Sequence, residues 1–350
     1  MSRCLRVGSS RTLEDVRPAQ GANLAKKRHG SQGPLRELEA FSPDIIHVHN
    51  LFPNWGTRWL RKTEVPVVAT LHNFRPVCSS GNLLRNGKYC ELCPISGSHH
   101  AVVNGCYRGS ALATIPLAIA SRRNARNELL GRSSALIFLS SRAEKLYTGF
   151  DPDLARKAKM IPNFVHPPAS SEKGDNDDVG DEWLYAGRLS PEKGILELIE
   201  SWPNDAPLHV VGDGPLRKAC ESAAQGKRVD FKGLVERDEL FHRLTSYRGL
   251  IFPSVATEMY ALIYLEALSM GLPTLALSGS SVADDVADGS TGVVFNSFGA
   301  VEEGLALLSR ERGRFAAAAR QRFDSQYSAR AWLQEITNVY NSTISANPRS

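Results

Sequence analysis

The 350-residue sequence has no long apolar run. Its most hydrophobic stretch, SALATIPLAIA at 110–120, is too short to cross a bilayer and is interrupted by Pro116. Residues 1–30 are polar and basic with no apolar h-region, so no secretory signal is read there and the protein is expected in the cytoplasm. No nucleic-acid-binding motif accompanies the positive charge, and no nucleic-acid partner is expected. What is present is a soluble globular composition, 42% hydrophobic and 23% charged, in a chain long enough for two domains. Charge is shared unevenly: residues 1–165 hold 24 Lys+Arg against 11 Asp+Glu, and residues 166–350 hold 18 against 26. A basic first half suits a phosphorylated acceptor or peripheral association with an anionic membrane.

Short apolar runs alternate with longer helical patterns along the whole chain. DIIHVH (44–49), VPVVATLH (65–72) and ALIFLS (135–140) precede a polar, acidic stretch, ASSEKGDNDDVG (169–180). EWLYAG (182–187), LHVVGDG (208–214), VDFKG (229–233), GLIFPS (249–254) and PTLAL (273–277) follow it. Near-continuous runs of this kind separated by helices imply parallel sheets covered on both faces. The expected fold is therefore α/β, with two doubly wound Rossmann-like domains at 41–165 and 181–330 joined by a linker at 166–180. Residues 1–40 read as an irregular or partly disordered segment, and 331–350 as a C-terminal helix, able to pack back on the first domain, and a tail.

The stretch ATEMYALIYLEALSMG (256–271) sets Glu258 and Glu266 in an otherwise apolar run. A helix starting near Met259 would put Leu262, Leu265 and Leu268 on one core-facing stripe, with the two carboxylates about 12 Å apart along its axis. Either Glu258 complements the helix dipole and Glu266 is solvated, or a long polar ligand lies along the helix N-terminus with hydroxyls at each end. LYAGRLSPEKGILELI (184–199) reads as a strand, a loop carrying Arg188 and Lys193, and a helix. Two cations at a strand's carboxyl end suit adjoining phosphates, although Arg188 could equally pair with Glu192. VVGDGPLRKAC (210–220) ends a strand in Gly212 and Gly214, which allow backbone to approach a ligand.

Taken in order, AGRLSPEKG, VVGDGPL, VDFKGLV, PSVATEMYALIYLEALSMGLPTLA and, in the first half, DIIHVHN, VPVVATLHN and IPNFV resemble the retaining glycosyltransferases of family 4. The resemblance covers about residues 41–345. It implies the GT-B fold of two facing Rossmann-like domains, a UDP- or GDP-sugar donor, and a glycan or lipid-linked saccharide acceptor. Cofactors are not required, because side-chain cations and helix dipoles replace a divalent metal. By the same resemblance Arg188 and Lys193 hold the donor diphosphate, Glu266 takes the ribose hydroxyls, and Glu258 lies near the donor sugar. Gly212, Gly214, Tyr260, Ala261 and Leu262 fall in the donor-binding motifs, and His72 of TLHN contacts the sugar from the other domain. Transfer would retain configuration on the front face, the leaving phosphate helping to deprotonate the acceptor. A nucleotide-sugar epimerase of the same fold, or a donor-binding remnant, would use the same donor residues.

Four cysteines, Cys78, Cys90, Cys93 and Cys106, are spaced C-x11-C-x2-C-x12-C. In a reducing compartment they would form either a tetrahedral structural zinc site or four unlinked thiols. Residues 111–132 read as one basic helix, lying on a membrane surface or in the first domain's core. Two departures from the family pattern stand out. Ala261 occupies a position where glycine is usual, and residues 1–33 show no opening strand, so the first domain is expected to be shortened.

Overall fold

A computed structural model describes residues 4–7, 21–24, 33–52, 55–121, 127–167, 179–255, 259 and 261–347. The chain divides into two compact units, Met1–Pro162 with Leu333–Ser350, and Asn163–Trp332.

The first unit is built on a six-stranded parallel sheet of β1 (Cys4–Val7), β2 (Gly21–Leu24), β3 (Ile45–His49), β4 (Val67–Leu71), β7 (Ser133–Phe138) and β8 (Ala158–Met160), ordered β2-β1-β3-β4-β7-β8. Every residue of β3 and β4 is buried, which explains why IIHVH and VVATL read as continuous rather than alternating runs. Between β4 and β7 lies the short antiparallel hairpin of β5 (Leu84–Arg85) and β6 (Lys88–Tyr89). The terminal helix Ala329–Ala346 contributes its residues from Leu333 onward to this unit.

Strands β1 and β2 correct the expectation of an irregular, strandless start. β1 pairs in parallel with both β2 and β3, Cys4 opposite Gly21 and Ile45. These are four-residue segments, CLRV and GANL, too short to show a period. β1 takes its strand character from pairing with β3, more than thirty residues away, and β2 from pairing with β1, contacts that local pattern does not encode.

The second unit holds β9 (Trp183–Ala186), β10 (Leu208–Val211), β11 (Val229–Gly233), β12 (Gly249–Phe252), β13 (Thr274–Leu277) and β14 (Gly292–Phe295). They form one parallel sheet ordered β11-β10-β9-β12-β13-β14. Counted from β9, that is the 3-2-1-4-5-6 doubly wound order, whose direction reverses between β9 and β12, where a crevice opens at the strands' carboxyl ends. Apolar clusters cover both faces, one around Leu184, Leu250 and Leu268 and the other around Trp183, Ile251 and Leu275. A polar knot ties three helical segments on one face. Asp285 accepts hydrogen bonds from Tyr264, Tyr327 and Arg322 at 2.6, 2.6 and 2.5 Å, and charge-assisted bonds of this kind contribute about 1.5–3 kcal/mol each.

Candidate functional site

The crevice of the second unit lies where the topology puts it. A cavity of about 300 Å³ is lined by the ends of β9 and β12 (Tyr185, Gly187, Ser254), by Lys193, and by Ala261 and Leu262 at the start of the helix Leu262–Ser269. That helix begins three residues later than expected, and Leu262 is half exposed at the cavity rather than part of the core stripe. The expected Lys193, Ala261 and Leu262 are thus brought together. Glu258 and Tyr260 lie outside the described residues.

Backbone proximity shapes this crevice. A Cβ at Gly194, whose φ is +63°, would meet the carbonyl oxygen of Pro253 at 2.2 Å, so only glycine lets the Lys193 loop close against the end of β12. Gly212 has φ +128°, and a Cβ there would sit 2.0 Å from the Gly187 carbonyl oxygen; one at Gly214 would sit 2.4 Å from that of Leu189. The two glycines expected to admit a ligand therefore first serve close passage of the β9 and β10 loops, which are cross-linked by Gly187 N to Val211 O and Leu189 N to Asp213 O, each at 3.0 Å. Arg188 is exposed on the same loop and makes no ion pair among the described residues. The Glu192 carboxylate instead accepts from Ser190 Oγ at 2.6 Å, so pairing between Arg188 and Glu192 is not formed.

Glu266 is not solvated. It is 7% exposed, in a helix whose residues from Tyr264 to Ser269 are all buried, and its Oε1 accepts from Arg237 Nε at 2.7 Å. A carboxylate is buried only when something charged or polar compensates it, and Arg237 does so here while its guanidinium lies over the Phe241 ring at 5.5 Å. Sequence reading missed Arg237, whose partner is 29 residues away.

In the first unit, His72 follows β4 and lines a cavity of about 380 Å³ together with Asn50, Trp55, Asn73, Arg75 and Leu117. Arg75 packs its guanidinium 4.2 Å over Phe52 and donates to Ser79 O at 2.9 Å, and burial lowers its pKa from the ordinary arginine value. Around His72 the ends of β3 and β4 carry a polar ladder. His49 Nδ1 and His72 Nε2 share a hydrogen bond of 2.8 Å, Asn73 Nδ2 donates to Asn50 Oδ1 at 2.9 Å, and His47 Nε2 bonds Thr70 Oγ1 at 2.8 Å. His47 Nδ1 also meets the Tyr340 hydroxyl at 2.5 Å. The three strand-to-strand bonds each join residues 23 apart, because HVHN (47–50) and TLHN (70–73) are in phase. That repeated string was the signal by which His47, His49, Thr70, Asn50 and Asn73 could have been found from the sequence.

Of the two states open to the four cysteines, the structure describes the unlinked one. Among the described residues no group of three or more His, Cys, Asp or Glu side chains is arranged to hold a metal ion, and Cys78, Cys90, Cys93 and Cys106 are free thiols. Cys93 is packed with Ala101 and Ala118, and burial, followed by the neighbouring thiols, pushes it up to about 11. The Cys78 sulfur meets Ser80 Oγ at 3.1 Å. An Asp-x-Asp triplet at 151–153 is structural, since Asp151 Oδ1 caps the following turn through Asp153 N at 3.2 Å and Asp153 pairs with Arg156. The single basic helix expected at 111–132 is two helices, Ala111–Ala120 and Glu128–Arg132, and no helix among the described residues is long and apolar enough to cross a membrane.

Comparison with known proteins agrees with this geometry. Residues 25–167 match the family model described as Glycosyltransferase Family 4, and residues 180–309 that described as Glycosyl transferases group 1. A sulfoquinovosyl transferase of Arabidopsis thaliana is 31% identical over 166 residues, 44% of this chain, which spans only 32% of that protein. A glycogen synthase of Mycobacterium tuberculosis is 26% identical over 340 residues, covering 91% of this chain and 69% of its own. Among solved structures, Anabaena HepE in complex with UDP superposes with a TM-score of 0.64 at 14% identity, covering 98% of this chain and 100% of that one. The fold is GT-B. Within that class the chain is glycosyltransferase family 4-like, through the Family 4 model in the first unit and the group 1 model in the second.

Proposed function

We propose that this protein is a retaining glycosyltransferase that moves a sugar from a UDP- or GDP-sugar to a glycan or lipid-linked acceptor in polysaccharide or envelope glycan synthesis. The observation that carries the reading is the second unit's crevice at the topological switch point, with Lys193 in its wall, Arg188 on the adjoining loop and a buried, Arg237-paired Glu266 on the flanking helix. Arg188 and Lys193 would stabilise the charge that develops on the departing nucleoside diphosphate. Glu266 would accept from the ribose hydroxyls, its rotamer already fixed by Arg237. Ala261 at the cavity rim would narrow the approach of the diphosphate to the helix N-terminus. His72, in the first unit's cavity, would orient the sugar undergoing transfer, and Glu258 would lie near that sugar. Peripheral docking on the inner membrane face is supported by the helix Ala111–Ala120, which exposes Leu112, Ile115 and Ile119 at helical spacing within a basic half-chain.

Thermal-shift screening against UDP-, GDP- and ADP-sugars tests the reading. A ligand at 100 times its Kd stabilises the folded state by about 2.7 kcal/mol, which raises Tm by roughly 5–10 °C in a unit of this size. One nucleotide class should give that rise, and a flat response to all three would remove the donor assignment.

A further inference from the structure

Resting on that reading, we propose that His49 is a positioning residue that sets the ring orientation and proton placement of His72. The ladder at the ends of β3 and β4 supplies the geometry: His49 is 5% exposed, its Nδ1 lies 2.8 Å from His72 Nε2, and the ring centroids are 5.1 Å apart.

Two imidazole nitrogens at hydrogen-bond distance share one proton, so one ring must accept and the other donate. If His49 Nδ1 donates, a neutral His72 carries its own proton on Nδ1; if His49 accepts, His72 is protonated on Nε2. Two N–H groups facing each other would break the bond, so the intact pair takes up at most one added proton. The state of His72 toward a substrate is therefore set by its partner. A second histidine holds its Nε2, and a histidine can reverse its role without moving.

His49 is itself held. Its ring lies 4.1 Å from that of His47, which is 1% exposed. His47 is anchored on both nitrogens, by Thr70 Oγ1 at 2.8 Å and by the Tyr340 hydroxyl at 2.5 Å. Tyr340 belongs to the terminal helix Ala329–Ala346, so the chain's last helix closes the array from outside the sheet. The second rung, Asn50 to Asn73, fixes the loop on the far side of His72. Asn50 has φ +37°, in the left-handed region that asparagine tolerates better than most side chains, and this lets its amide oxygen meet Asn73. Ring orientation at His72 is thus determined from both sides before any ligand arrives, which is the preorganisation a transfer step requires.

The test uses the full chain with His49→Phe, His49→Asn and His72→Ala, each checked for an unchanged Tm. Asparagine can place an amide where Nδ1 stood and keep the bond to His72; phenylalanine keeps the bulk and loses the bond. Long-range 15N–1H correlation spectra should show His72 in one dominant tautomer in the parent and in His49→Asn, and in mixed tautomers in His49→Phe. With the nucleotide-sugar that gives the thermal shift, sugar release in His49→Phe should fall about 10- to 100-fold in kcat, by analogy with the loss of groups that orient a functional histidine, while nucleoside diphosphate affinity stays unchanged. His49→Asn should retain kcat within about 3-fold, well inside that range. Loss of turnover in His72→Ala with full turnover in His49→Phe would overturn this inference alone. Equal impairment of the two His49 variants, or an unchanged His72 tautomer in His49→Phe, would overturn it as well. Full turnover in His72→Ala would overturn it together with the role given to His72 above.

Discussion

The two sheets end differently. In the second unit the carboxyl ends of β9 and β12 are shaped by backbone: Gly194, Gly212 and Gly214 stand where any Cβ would come within 2.4 Å of a neighbouring carbonyl oxygen. In the first unit the ends of β3 and β4 are shaped by side chains, with His47, His49, Asn50, Thr70, His72 and Asn73 bonded across the strands. A backbone-built crevice is rigid and demands glycine where the loops close, and it suits a ligand whose phosphates take amides and cations. A side-chain-built one depends on each group's rotamer and proton, and it suits chemistry on a sugar hydroxyl. On the proposed reading, the same parallel scaffold would supply binding in one unit and orientation in the other.

Breaking the charge in the second crevice should have the largest effect. On the proposed reading Glu266→Ala removes the acceptor for the ribose hydroxyls, and with each hydrogen bond to a charged group contributing about 1.5–3 kcal/mol, donor affinity should fall about 100-fold or more and the thermal shift should vanish. Arg188→Ala should weaken binding by about 10-fold, since an exposed cation acts in part through screened attraction. If both variants keep the parental shift, the donor does not lie in this crevice. Gly212→Ala is next and acts on stability instead. The methyl would be forced to 2.0 Å from the Gly187 carbonyl at a φ of +128°, and strain and displacement of that kind cost about 3 kcal/mol. Thermal unfolding of the second unit should move down by roughly 6–12 °C. A change of under 2 °C would mean the β9 and β10 loops are not held as close as described.

How much of this was legible follows from the same contrast. The second unit announced itself because glycine-bearing turns and five apolar runs are local signals, and the parallel, doubly wound class followed from alternation with helices; the strand order and the sixth strand, β14, came only with the structure. Glu266 was found, but its burial was not, because Arg237 reaches it from another helix 29 residues away. β1 and β2 were missed for the same reason, their strand character being a matter of partners. The four cysteines stayed open between zinc and unlinked thiols because spacing alone cannot say how side chains meet; in the structure Cys93 packs beside Ala101 and Ala118, with Cys106 against the same cluster. His72 was read singly, although the in-phase strings HVHN and TLHN held the whole ladder.

The smallest effect expected sharpens the contrast from the side of histidine itself. The second unit has a histidine within its sheet too, His209 on β10, which meets the Tyr247 hydroxyl at 3.3 Å and lies edge-on to that ring. Burial first, and then the charge of Lys232, lower its pKa below the ordinary value. The fold therefore favours the neutral ring: its contribution is present in full above about pH 6.5 and is lost as pH falls through the folded-state pKa, because the unfolded chain binds the proton more readily. His209→Gln removes that titration while leaving a polar group beside Tyr247. Denaturant unfolding at pH 7 and pH 5 should show the parent losing slightly more stability on acidification than the variant, by under about 1 kcal/mol given the ring's partial exposure. A lone histidine in the sheet behaves as a weak acid-sensitive packing residue, whereas three histidines in one ladder can divide orientation and proton placement among themselves. Identical acid losses in parent and His209→Gln would show that burial on β10 is too slight to favour the neutral ring, and the contrast would then rest on the hydrogen bonds of the first unit alone.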